Sequence, residues 1–104
     1  MMIDTAQARR EGLRWVLLQV INKARPYPAN DRLLWDVGSS LYPDLTNLEL
    51  QRELLFLDGL ALVELTRPPA RSWTATLTPA GVNLVEYVTD DVPGIARPAK
   101  YWRE

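Results

Sequence analysis

Apolar side chains recur at Leu13, Val16, Leu17, Val20, Ile21 and Ala24, a spacing that lays one stripe along a helix. Asp4 or Thr5 can cap its start. Pro26 stops it and pushes Arg25 out of helical geometry. Trp15 and Leu18 lie off the stripe, which reads as a wide core face or, alternatively, as a contact with a second subunit. Tyr27 to Asn30, with two prolines, reads as a linker. Asn30 or Asp31 then caps a second helix, about Asp31 to Leu41, with Leu33, Leu34, Val37 and Leu41 sharing its buried side. Gly38 and Ser39-Ser40 weaken this helix, and Pro43 ends it. Thr46 suits the cap of a third helix, and Glu49, three residues on, completes a capping box. Leu50, Leu54 and Leu57 point inward from it. Its end falls at Asp58-Gly59, where glycine accepts a left-handed turn.

Ala61 to Thr66 alternates in part and predicts a strand, and Trp73 to Leu77 predicts its return. The connector Arg67 to Ser72 is basic and stiffened by Pro68-Pro69. It is long for a tight hairpin and suits a projecting wing. Thr78-Pro79 is an N-cap followed by proline at the first helical position. It opens a fourth helix to about Val88, with Leu84, Val85 and Val88 inward. From Thr89 onward, Pro93, Gly94 and Pro98 and the loss of periodicity predict an extended tail. Its Tyr101 and Trp102 suit docking on the domain or on a second subunit. The predicted fold is mainly α with a small β-hairpin: a winged helix-turn-helix with a three-helix core, a two-stranded wing, a C-terminal helix and an extended tail. The domain covers 1–88 and the tail 89–104.

At 104 residues the chain fits one domain. It has no cysteine and no histidine, which removes disulfides, thiolate metal sites and the commonest general base together. No glycine-rich phosphate loop is present, and Ser39, Ser40 and Ser72 have no histidine to activate them. Asp90-Asp91 beside Glu86 reads as a solvated helix end rather than a Mg²⁺ site. No enzyme activity, metal or cofactor is therefore expected. The four tryptophans, Trp15, Trp35, Trp73 and Trp102, read as core or interface anchors. No apolar run reaches membrane-span length and no signal-peptide pattern opens the chain, so the expected location is cytoplasmic, away from membranes.

Three segments carry a family resemblance. Gln51 to Val63 resembles the end of the recognition helix and the first wing strand of many bacterial winged-helix regulators: Leu54 and Leu57 match the leucines and Leu62-Val63 the strand entry, while Ala61 stands where glycine is usual. Leu77-Thr78-Pro79-Ala80-Gly81 is similar to the Leu-Thr-x-x-Gly that opens their last helix. Val92-Pro93-Gly94-Ile95-Ala96-Arg97-Pro98 resembles the Val-Pro-Gly-Val-x-Arg-Pro tail of a family of small winged-helix proteins of Mu-like phages and prophages, within the wider ArsR/MarR-like winged helix-turn-helix class. That resemblance spans nearly the whole chain. It implies a phage-related regulator.

In a helix-turn-helix the second helix enters the major groove. Its exposed positions here would be Thr46, Asn47, Glu49, Gln51 and Arg52, of which Asn and Gln suit adenine and Arg suits guanine. Arg67 and Arg71 on the wing would hold phosphates. Charge opposes this. The net charge is −1, and residues 33–64 set Asp36, Asp44, Glu49, Glu53, Asp58 and Glu64 against Arg52 alone. Compensation would have to come from Arg9, Arg10, Arg14, Lys23, Arg25, Arg32 and the wing arginines. Two readings follow: a homodimeric protein that binds double-stranded DNA, or an adaptor module that binds a protein partner through its acidic third helix and aromatic tail.

Overall fold

The computed structural model describes residues 4–69 and 72–100. Within them lie α1 (Thr5–Ala24), β1 (Ala29–Asn30), α2 (Asp31–Leu41), α3 (Asn47–Gly59), β2 (Val63–Thr66), β3 (Thr74–Leu77) and α4 (Pro79–Val85). The protein is mainly helical, with a small antiparallel sheet in the order β1-β3-β2.

Each helix start obeys local capping chemistry. Asp4, Asn30, Thr46 and Thr78 accept a hydrogen bond from the backbone N–H three residues on, satisfying one of the donors each helix leaves open. The capping box at α3 is half made. Thr46 accepts from the Glu49 N–H at 3.1 Å, but the Glu49 carboxylate turns away to Arg9.

The sheet has one strand more than the expected hairpin. The expected linker contributes β1, with Ala29 opposite Ala75 and Asn30 opposite Thr74, and β3 pairs on its other edge with β2, Val63 facing Leu77. A buried Ala29 between Pro28 and the Asn30 cap is too short a signal for periodicity to find.

α1 is the central element and packs on α2, α3, α4 and the sheet. Leu13, Leu17, Leu18 and Ile21 are fully buried, so its core face is turned toward Leu18. Val16 and Val20 are only half-buried. α2 departs from expectation in the same sense. It buries Leu34 and Gly38, whereas Leu33 and Leu41 are exposed.

The end of α3 also differs. The left-handed residue is not Gly59, which is still helical, but Ala61 at φ 59°. The Ala61 N–H donates to the Asp58 carbonyl and the Leu62 N–H to the Leu57 carbonyl, which is the Schellman pattern with alanine in glycine's usual place. α4 stops at Val85, three residues earlier than the sequence predicts, and Val88 is 68% exposed.

Residues 89–100 have no regular structure and pack back on the helices. Ile95 is buried, and the Ala96 N–H donates to the Glu11 carbonyl. Arg97 donates to the carbonyls of Leu84 and Thr89, closing the end of α4. Gly94 sits at φ 92° between the Phe56 ring and the Arg14 guanidinium, where a side chain would be both strained and crowded. The Val-Pro-Gly stretch thus fastens the chain end to α1 and α3.

Candidate nucleic-acid interface

Two acidic residues of α3 are neutralised from α1. Arg14 meets Glu53 at 2.6 Å, both side chains being largely withdrawn from solvent. The same guanidinium lies 3.6 Å over the Phe56 ring and donates to the Gly94 carbonyl. Five N–H donors in a planar fork make one arginine able to serve an acid, an aromatic face and a carbonyl at once. One turn nearer the start of α1, Arg9 donates to Glu49 through two nitrogens, at 2.8 and 2.9 Å, and pairs with Asp44 at 2.9 Å. The hydrogen bonds that Arg9 donates to Glu49 and then to Asp44 hold its guanidinium well above its ordinary value, and the one to Asp44 holds that carboxyl below its own. Glu49 and Glu53, four apart, share one face of α3. Arg9 and Arg14, five apart, point about 140° apart around α1, and each reaches that face through its long side chain.

What α3 shows outward is therefore different from its composition. Asn47, Leu48, Arg52 and Leu55 are exposed, with Gln51 half-buried. A cleft toward α1 places Arg10 beside Leu48 and Arg52, and its continuation runs to Leu55 and Phe56. Among the described residues neither Arg10 nor Arg52 has an acidic partner. A second cleft, about 500 Å³, lies toward the sheet and is lined by Asp31, Arg32, Trp35, Asn47 and Ser72. Among the described residues Arg32 is paired only with its exposed helix neighbour Asp36 at 3.3 Å, a contact worth on the order of 0.3–0.5 kcal/mol.

The sequence-derived positions divide accordingly. Thr46 is spent as a cap. Asn47 stands in the sheet-side cleft and Arg52 in the α1-side cleft, on opposite flanks of the α3 ridge, with Gln51 on the ridge itself. Arg67 is exposed on the β2–β3 connector, its guanidinium 5.6 Å over Trp73. The Trp73 N–H donates to Asp31 of the sheet-side cleft, which ties the connector's base to that cleft. Arg71 lies outside the described residues. Of the compensating cations, Arg10 and Arg32 flank α3, whereas Arg9 and Arg14 are consumed in ion pairs. Arg25 is set at 3.9 Å from Glu86 at the far end of α1, and Lys23 lines a groove with α2. Arg10 and Arg32 are thus the residues that spacing along the chain does not place. Only a register between helices, invisible to spacing within one helix, brings them to α3.

Comparison with protein-family models, with curated proteins and with solved structures finds no match to this chain. Among the described residues no helix is long and apolar enough to cross a membrane, and no acidic cluster is grouped to hold a metal ion.

Proposed function

We propose that the protein is a winged helix-turn-helix that binds double-stranded DNA, with α3 in the major groove and the 67–71 wing on the backbone. The order α1-β1-α2-α3-β2-β3, with the first strand added to the edge of the hairpin, supports the fold reading. One observation carries the functional reading. Two of the acids that set α3 against a phosphate surface are taken up by α1, Glu53 buried on Arg14 and the half-buried Glu49 clamped by Arg9, so the outward ridge carries Asn47, Gln51 and Arg52 with Arg10 and Arg32 on its flanks. Asn and Gln then have adenine edges to read, and the arginines have guanine or phosphate to bind. The Val92–Pro98 resemblance supports a phage-related regulator, acting as a homodimer on half-sites roughly 34 Å apart.

The test is binding to a mixed pool of short duplexes at low and at moderate salt, with an Arg10→Ala/Arg52→Ala variant and an Arg67→Ala/Arg71→Ala variant. Each arginine taken off a phosphate should flatten the dependence of log affinity on log salt by about 0.9. Sedimentation of the same samples reads the oligomeric state. Absence of binding at low salt sinks the proposal.

A second reading has its own observation. Leu48 is 63% and Leu55 42% exposed, seven residues apart on the ridge that Arg52 shares. An adaptor without DNA binding that presents α3 to a protein partner would use those two leucines, and a Leu48→Ser/Leu55→Ser variant would abolish partner capture.

A further inference from the structure

α1 and α2 leave between them an open apolar groove of about 580 Å³. Trp15, Val16 and Val20 form one wall and Leu33, Val37 and Leu41 the other. Leu33 and Leu41 are exposed and the other four half-buried, so apolar surface faces water along both helices. The outer edge of the α1 wall is a ridge of residues four apart, Glu11, Trp15, Gln19 and Lys23. It begins with an acid and ends with a base. We propose that this face docks on the same face of a second copy of the chain, the two α1 helices running antiparallel across a two-fold axis.

Charge complementarity selects this occupant. A two-fold axis makes every contact twice, residue i of one copy meeting j of the other and j meeting i. With the axis between Trp15 and Gln19, Glu11 stands opposite the partner's Lys23 at one end and Lys23 opposite the partner's Glu11 at the other. Among the described residues neither Glu11 nor Lys23 is in an ion pair, and the Glu11 carboxylate accepts only from the Gln7 amide at 2.9 Å. A parallel arrangement would set acid on acid and base on base, so the same charges exclude it. The shape agrees. Ridges of residues four apart interdigitate when two helices cross at about 50°. Glu11 and Lys23 point about 60° to either side of the ridge's middle, an offset that the crossing and their long side chains take up. The Trp15 ring and the groove then form an apolar centre, and the ion pairs a polar rim. The face lies clear of α3: Arg10 and Arg14, which stand toward that helix, point about 140° around α1 from the middle of the ridge. The inference deepens the homodimer part of the proposed function and rests on that part alone, not on DNA binding.

Sedimentation of the full chain without DNA, over a range of concentrations, tests it. The parent should sediment as a dimer. Glu11→Lys and Lys23→Glu each turn two attractive contacts into repulsive ones, and either alone should raise the Kd of the dimer on the order of tenfold to a hundredfold. An equimolar mixture of the two variants should recover the dimer, because every charged contact across the axis is then again between opposite signs. No change within one chain produces that recovery. A monomeric parent overturns the proposal, as does a dimer that neither variant weakens or a loss that mixing fails to restore. Duplex binding on the same samples separates the two readings. A chain that dimerises in this way and binds no DNA sinks the DNA reading and leaves the interface standing, and a monomer that binds DNA does the reverse.

Discussion

Replacing Glu53 by alanine removes the acid from the pair that joins α1 to α3, and the cost follows from burial. Glu53 is 1% exposed and its partner Arg14 is nearly as enclosed, so the remaining guanidinium would keep its charge with little water to compensate. Breaking a buried pair from one side costs about 3–5 kcal/mol, whereas an exposed pair is worth about 0–1. The partial compensation is the Gly94 carbonyl and the Phe56 face, which Arg14 retains. They place the expected loss at the lower end, about 3 kcal/mol, against a total stability of roughly 5–15 kcal/mol for a domain. The melting temperature should fall by roughly 12 °C or more. Urea unfolding gives the free energy directly, provided the slope with denaturant is unchanged. Arg14→Met/Glu53→Leu should recover most of the loss, because an apolar pair of similar volume removes the need for compensation altogether. A loss under about 1 kcal/mol for Glu53→Ala would refute the reasoning, since it would put the pair in water's reach. The same variant bears on function. If Glu53 is internal, its removal lowers stability and leaves the salt slope of DNA binding where it was.

Three further outcomes are expected. Ala61→Gly should stabilise by about 0.5–1 kcal/mol in urea unfolding, because relief of a left-handed alanine, roughly 1–2 kcal/mol, outweighs glycine's extra freedom in the unfolded chain. Gly81→Ala should cost about 1–3 kcal/mol, read from the thermal midpoint, since a Cβ there runs into the carbonyl oxygen of Leu62 beneath α4. Asp44 has a folded value held below the ordinary carboxylate range by the hydrogen bond from Arg9, so its contribution is fully present above that range and is lost as pH falls through the depressed value. Asp44→Asn should therefore flatten the acid side of a stability–pH curve at low salt and lie parallel to the parent at neutral pH.

Much of the scaffold was legible because it is written in local chemistry. The start of α2 at Asp31, the start of α3 after Thr46 and the Thr78-Pro79 opening of α4 follow from caps that act within three residues. What local chemistry does not encode is what another element does to a face. Leu33 and Leu41 have helical periodicity with Leu34, yet α1 takes only the Leu34–Gly38 side of α2. Gly38 is there because Leu45 and Leu13 close over it, which outweighs its poor helix propensity. Gly59 looked like the turn because glycine is the usual left-handed residue, but the hydrogen-bond pattern at the end of α3 places that conformation two residues later, on Ala61. The candidate site was legible only in part for the same reason. Asn47, Gln51 and Arg52 follow from helix phase, while Arg10 and Arg32 join them through the packing of α1 and α2 on α3.

Charge counted along a chain and charge presented at a surface are different quantities, and α3 separates them. Summed by sequence, the helix and its flanks repel phosphate. Sorted by position, Glu53 is interior, Glu49 and Asp44 share one arginine, and Asp58 remains at the far end, more than two turns from Asn47. The same sorting withdraws Arg9 and Arg14 from any DNA face, so neutralisation on one side does not create a strongly basic patch. The balance that results is a near-neutral ridge in which Arg52 and Arg10 stand beside Leu48 and Leu55, while the Arg9–Glu49–Asp44 group keeps one net negative charge. Such a ridge would draw its specificity from base edges, including thymine methyls that Leu48 can meet, rather than from bulk electrostatic affinity. A weak salt slope together with clear sequence preference is the signature this geometry implies, and a steep slope without preference would point away from α3 and toward the arginines of the connector.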